Sequence, residues 1–150
     1  MTTSMQAVPA ARPSLTGRTV FDVMATGPRT TRPTATIADC RAFFDDDHVH
    51  MLLIVASGVL LGTLVRADLP DHGDDAVPAL TRARLDGRLV DGHEPAEQVR
   101  LRMIESGRRR LAVVDDTGAL VGLLCLKRKL TGFCSDADIA ARAADRGGCE

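Results

Sequence analysis

The stretch MLLIVASGVLLGTLV, residues 51–65, carries no charge over 15 positions, and its reading decides the class of the whole protein. A membrane-spanning helix needs about 20 predominantly apolar residues. As a helix, this one would reach only about 22 Å at about 1.5 Å per residue. It is also interrupted. Ser57-Gly58 is a turn signal, because glycine supplies the positive φ that tight turns require. The flanking runs, Leu52-Leu53-Ile54-Val55 and Val59-Leu60-Leu61, have the length and composition of buried strands. Within the stretch itself, strand and helix both remain open.

A second copy decides between them. LAVVDDTGALVGLLCL, residues 111–126, repeats the pattern. Leu111 to Val114 matches Leu52 to Val55 at an offset of 59, and Leu120-Val121-Gly122 matches Leu60-Leu61-Gly62 at an offset of 60. Between them stands Asp115-Asp116-Thr117-Gly118, which a membrane helix could not hold at its centre but a hairpin turn can. Both copies therefore read as strand–turn–strand, with no membrane span.

The repeat continues upstream. Ile37, Cys40 and Phe44 share one helix face, and Ala96, Val99 and Met103 repeat that spacing 59 residues later. Thr36 with Asp39 predicts a capping box, and Pro95 with Glu97 suits a helix start. Arg29-Thr30-Thr31 and Arg88-Leu89-Val90 are short extended stretches before the helices. Each unit thus reads strand, helix, strand, turn, strand. Closing helices are expected near Arg66–Leu69 and Lys127–Leu130. A unit of about 60 residues buries too little surface to be comfortable alone, so the two are expected to share a core.

Composition narrows the function. A net charge of −1, with no Trp or Tyr, argues against nucleic acid as partner. The four cysteines, at 40, 125, 134 and 149, form no Cys-x-x-Cys pair. Cys40 and Cys125 fall in apolar patterns as small buried hydrophobes, so no disulfide framework and a cytoplasmic setting are expected. Residues 1–18 have no apolar run of signal-peptide length and read as a flexible tail. Thr19 with Asp22 is a further capping box. The divisions expected are tail 1–18, first motif 19–70, linker 71–84, second motif 85–131, and a C-terminal helix and tail over 132–150, with Ser135 as cap.

The segment TVFDVMATGPRTTRPTATIADCRAFF, followed by HMLLIVASGVLLGTLVRADL, resembles a CBS motif, the module first described in cystathionine β-synthase. Residues 85–130 resemble a second one. The resemblance implies an α+β fold in which two pseudo-symmetric β-α-β-β-α motifs pack sheet to sheet as a Bateman module, commonly homodimeric. It implies regulation of a partner protein and no catalysis. No cofactor is required. The ligand class it implies is adenosyl: AMP, ADP, ATP or S-adenosylmethionine, held in a cleft between the motifs. The alternative is a CBS-fold dimerisation or partner-binding scaffold that binds no ligand.

In the family, Gly-x-x-[Ser/Thr]-x-x-[Asp/Asn] after the turn contacts ribose and phosphate, since a carboxylate accepts from two vicinal hydroxyls. Gly62 and Asp68 match in the first motif, but Val65 replaces the hydroxyl. Gly122 matches in the second, where Cys125 and Arg128 replace hydroxyl and carboxylate. Arg128 could instead pair with a phosphate. Asp68 is the strongest single candidate; the bland reading makes it an acid at a helix start. Thr30 and Thr31 are candidates for the adenine pocket, or simply strand formers. Leu53, within the aliphatic run 52–54, would pack on the base. Arg110, ending the Arg108–Arg110 run, is a candidate for phosphate, or a cation complementing a helix C-terminus. Asp45–Asp47 oppose the helix dipole, and the complementary patch they could face is the Arg108–Arg110 run of the other unit or of a partner chain. His48 and His50 are weak metal candidates beside them, against a solvated turn.

Overall fold

The computed structural model describes residues 15–134 and 136. In chain order it contains α1 (Val20–Val23), β1 (Thr30–Thr31), α2 (Ile37–Phe44), β2 (Met51–Ala56) and β3 (Val59–Val65), then a 3-10 turn (Arg66–Asp68). A second 3-10 turn (Ala79–Arg82) precedes β4 (Leu89–Asp91), α3 (Ala96–Ser106), β5 (Arg110–Val114) and β6 (Leu120–Cys125). The expected C-terminal helix falls outside the described residues.

The two halves have one topology. In each, a short first strand pairs parallel with the second, which pairs antiparallel with the third, giving sheets ordered β1-β2-β3 and β4-β5-β6. The duplication extends to irregularities. The ladder shifts between Ile54 and Val55 in one unit and between Val113 and Val114 in the other. The start of α2 follows its sequence. Thr36 Oγ1 accepts from the Asp39 N–H while the Asp39 carboxylate accepts from the Thr36 N–H. The predicted faces are buried: Ile37, Cys40 and Phe44 on α2, and Ala96, Val99 and Met103 on α3.

The uncharged run 51–65 is explained by burial on both faces of β2. Leu52 and Ile54 point to the α2 side, into a core with Ile37, Cys40 and Leu64. Met51 and Leu53 point the other way, into a layer shared with Leu60 and with Ala112 of the second sheet. Sheet thus packs on sheet. The hairpin turns are stitched together by a reciprocal pair of bonds, Leu60 N–H to Gly118 O (3.0 Å) and Leu120 N–H to Gly58 O (2.9 Å).

The units also exchange their opening segments. α1 belongs to the first motif by sequence, yet Val20 is fully buried in the second unit's core beside Val99 and Met103. Val20 N–H donates to Glu94 O, and Ala96 N–H to Arg18 O. The mirror exchange puts Ala79 in the first unit's core, with Ala79 N–H donating to Ala35 O and Ile37 N–H to Val77 O. The second half of the linker expected over 71–84 is therefore packed structure.

Two expectations need correction. The closing helix of the first unit is a single 3-10 turn, and at Lys127–Leu130 a turn replaces the helix, with Leu130 at φ 66°. Asp68 explains the difference. Its carboxylate accepts from the Val65 N–H and starts the 3-10 turn, whereas its counterpart Arg128 has no acceptor to offer. The second correction concerns cysteine. Cys40 and Cys125 are buried free thiols, as expected, but Cys134 is disulfide-bonded.

Candidate functional site

The pseudo-symmetry creates two equivalent positions between the units. At each, the segment preceding one unit's first strand crosses the last strand of the other. Ala25 pairs with Leu123, and Arg84 pairs with Thr63. Gly122 and Gly62 make these crossings feasible. A Cβ on Gly122 would lie 2.6 Å from Ala25 O, and one on Gly62 would lie 2.5 Å from Ala83 Cβ. Their first duty is thus close backbone approach.

The two positions differ in their side chains. At the first, Arg88 reaches over Thr63 to Asp68. Its Nη1 donates to Asp68 Oδ2 at 2.7 Å, and its Nη2 to Oδ1 at 3.2 Å. Nη1 also lies 3.3 Å from Thr63 O and from Thr63 Oγ1. The Arg88 and Asp68 side chains are 10% and 8% exposed, so the pair fills this position. Burial pushes the Asp68 carboxyl up. Hydrogen bonds from Arg88 and the Val65 N–H, with the charges of Arg88 and Arg84, outweigh that and hold it below the usual range.

The second position is open. A cleft of about 640 Å³ lies between Ala25, Gly27, Pro28, Arg29, Asp45–Met51, Arg110, Leu123 and Cys125. Its volume lies within the range of small-molecule sites, about 300–1,000 Å³. One wall is acidic. Asp46 accepts from the His48 N–H, its carboxyl is held low chiefly by that bond, and His48 Nδ1 lies 3.3 Å from it. Arg66 fixes this loop from behind, donating to the carbonyl oxygens of Phe44 (2.6 Å), Asp46 (3.4 Å) and Val49 (3.4 Å). The basic members are Arg29, 3.9 Å from Asp46, and Arg110. The acidic run and the last of the three arginines thus share one cleft.

The predicted residues divide between these places. Arg110 lines the open cleft, and Gly122 lies buried on the strand beside it. Arg128 sits exposed on the turn after β6. Gly62 and Asp68 belong to the filled position. Thr30 and Thr31 pair with Leu53 and Ile54 at the sheet edge, and Thr31 borders a separate shallow depression of about 290 Å³ with Arg32, Asp39 and Phe43. Leu53 is fully buried between the sheets. His48 and His50 line the open cleft, and among the described residues no group of three or more His, Cys, Asp or Glu is placed to hold a metal. Arg29, Arg66 and Arg88 were missed as site residues. The repeat carried the signal for two of them, because Arg29 and Arg88 stand 59 residues apart at the start of equivalent strands.

Residues 88–128 match the family model of the CBS domain. No curated protein matches the chain by sequence. Among solved structures it is similar to a conserved CBS-domain protein of unknown function from Thermoplasma acidophilum, with 22% identity, TM-score 0.61, and coverage of 85% of this chain and 76% of that one. It is similar to the CBS domain of a bacterial CNNM/CorC-family Mg2+ transporter in complex with ATP, with 18% identity, TM-score 0.62, and coverage of 75% and 84%. The cytosolic domain of the Mg2+ channel MgtE in complex with ATP is a third, with 23% identity, TM-score 0.57, and coverage of 69% and 44%. At these identities the likeness is one of fold. Among the described residues no helix is long and apolar enough to cross a membrane.

Proposed function

We propose that this chain is a CBS-domain pair, a regulatory module that takes an adenosyl ligand in the open cleft between its units and modulates a partner protein. The observation that carries the reading is that cleft, about 640 Å³ between the units, with Arg29 and Arg110 on its walls. Two of the similar structures hold ATP, which supports the ligand class. AMP, ADP, ATP and S-adenosylmethionine are the ligands to try. Arg110 is the group assigned to an anionic tail, through its planar fork of donors. The same reading places the chain in a cytoplasmic homodimer with a regulated protein partner, and it includes no catalytic step.

The test is a thermal-shift and calorimetric series with those four ligands. A ligand at 100 times its dissociation constant should stabilise the folded chain by about 2.7 kcal/mol, and Arg110→Ala should reduce the effect. If none shifts the melting curve at millimolar concentration, the second reading takes over, a scaffold without ligand. What favours that reading is that Asp68 is already paired within the chain and that Val65 and Cys125 stand where the family has a hydroxyl.

A further inference from the structure

The molecule contains its own control, because its two clefts are built to one plan. Both have the crossing segment and the close-approach glycine, so neither feature closes the first cleft. Both have an arginine at the start of the unit's first strand, Arg88 in one and Arg29 in the other. What differs is the residue each could meet. Arg88 meets Asp68. At the place of Asp68 the second unit has Arg128, and Arg29 instead lies 3.9 Å from Asp46 with its guanidinium 5.9 Å from the centre of the Phe43 ring. The cleft that kept its carboxylate is filled, and the one that lost it is open.

We propose that Arg88 is a built-in occupant of the first cleft, holding on Asp68 the place of a ligand's vicinal diol and keeping a second adenosyl site latent. The ligand class rests on the function proposed above; the occupancy does not. The Arg88 guanidinium presents two parallel N–H donors to the two Asp68 oxygens, at 2.7 and 3.2 Å. A ribose presents two adjacent O–H donors to the same kind of acceptor. The guanidinium wins because its hydrogen bonds are charge-assisted and because, being tethered, it competes at a high effective concentration. Removing it leaves a buried carboxylate, pre-positioned by the Val65 N–H, that needs donors.

The experiment is calorimetry with AMP on the wild-type chain, on Arg88→Ala, and on Arg88→Ala/Asp68→Ala. The number of AMP sites per chain should rise by one in Arg88→Ala and fall back when Asp68 is also removed. Arg88→Ala strips a buried carboxylate of its cation and can unfold the chain, so Arg88→Ala/Asp68→Asn serves as the charge-neutral partner, with an amide oxygen still able to accept. It should also gain a site, with weaker affinity. A folded variant of either kind that binds no more AMP than wild type overturns the proposal, whatever the wild type binds. If the wild type binds none and Arg88→Ala binds one, the open-cleft function fails and the built-in occupant stands.

Discussion

At the scale of single residues, the Arg88–Asp68 pair takes two opposite charges largely out of water, with side chains 10% and 8% exposed. Two charges removed from water are tolerated only because each is hydrogen-bonded to the other and to backbone. Arg88→Ala should destabilise the fold by about 3–5 kcal/mol in urea unfolding, since it leaves one charge uncompensated. The pair also sets a pH dependence. Asp68 has its folded pKa held below the unfolded value of about 3.9. Its contribution is complete above that value and is lost as pH falls through the lower folded one. The stability gap between wild type and Asp68→Asn should therefore be full at neutral pH and narrow below about pH 4. A constant gap across that range would show that the carboxylate is not stabilised by folding. Cys40 runs the other way. Burial, and secondarily the charge of Asp39, pushes its thiol up to about 11. Alkylation at pH 8 followed by mass spectrometry should leave Cys40 unmodified until the chain is unfolded.

At the scale of elements, local chemistry and crossing geometry act separately. The α2 capping box is local, satisfying two N–H groups of the helix start, and Thr36→Ala should cost about 1 kcal/mol by urea unfolding. The last strand of each unit depends on what crosses it. Gly122→Ala would place a methyl 2.6 Å from Ala25 O and 2.7 Å from Met24 Sδ, and it should cost about 1–3 kcal/mol while Gly118→Ala tests only the turn's positive φ. The helices, the capping boxes and the paired hairpins were legible from spacing alone, because cap and periodicity act within one element. The closing helices were not. Whether Arg66–Leu69 or Lys127–Leu130 winds up depends on one capping carboxylate, present as Asp68 and absent at Arg128.

At the scale of the whole molecule, the units are interlocked. Val20 completes the second unit's core and Ala79 the first's, while Leu53 and Ala112 meet between the sheets. A fragment spanning 85–134 lacks Val20 and one face of the inter-sheet layer. It should show no cooperative melting by circular dichroism, consistent with how little surface a domain of that size can bury. Cooperative unfolding of the fragment would mean that the exchange of opening segments is dispensable. The open cleft is a property of this level too. Its walls come from Ala25, Gly27, Pro28 and Arg29, from the loop 45–51 and from the second sheet, which meet only because the segments are exchanged.

The order of the strands and long helices, the duplication and the buried faces were determined by the sequence itself. Each rests on residue type at fixed spacing, and spacing survives in a linear text. Which motif residues stay available was decided only by the tertiary structure. Asp68 matched the ligand motif, yet its oxygens are taken by Arg88, 20 residues along the chain. Leu53 matched an apolar pocket wall, yet the second sheet covers it completely. The physical reason is competition. A carboxylate or an apolar face goes to whichever partner the fold brings nearest, and here the fold brings the chain's own groups first.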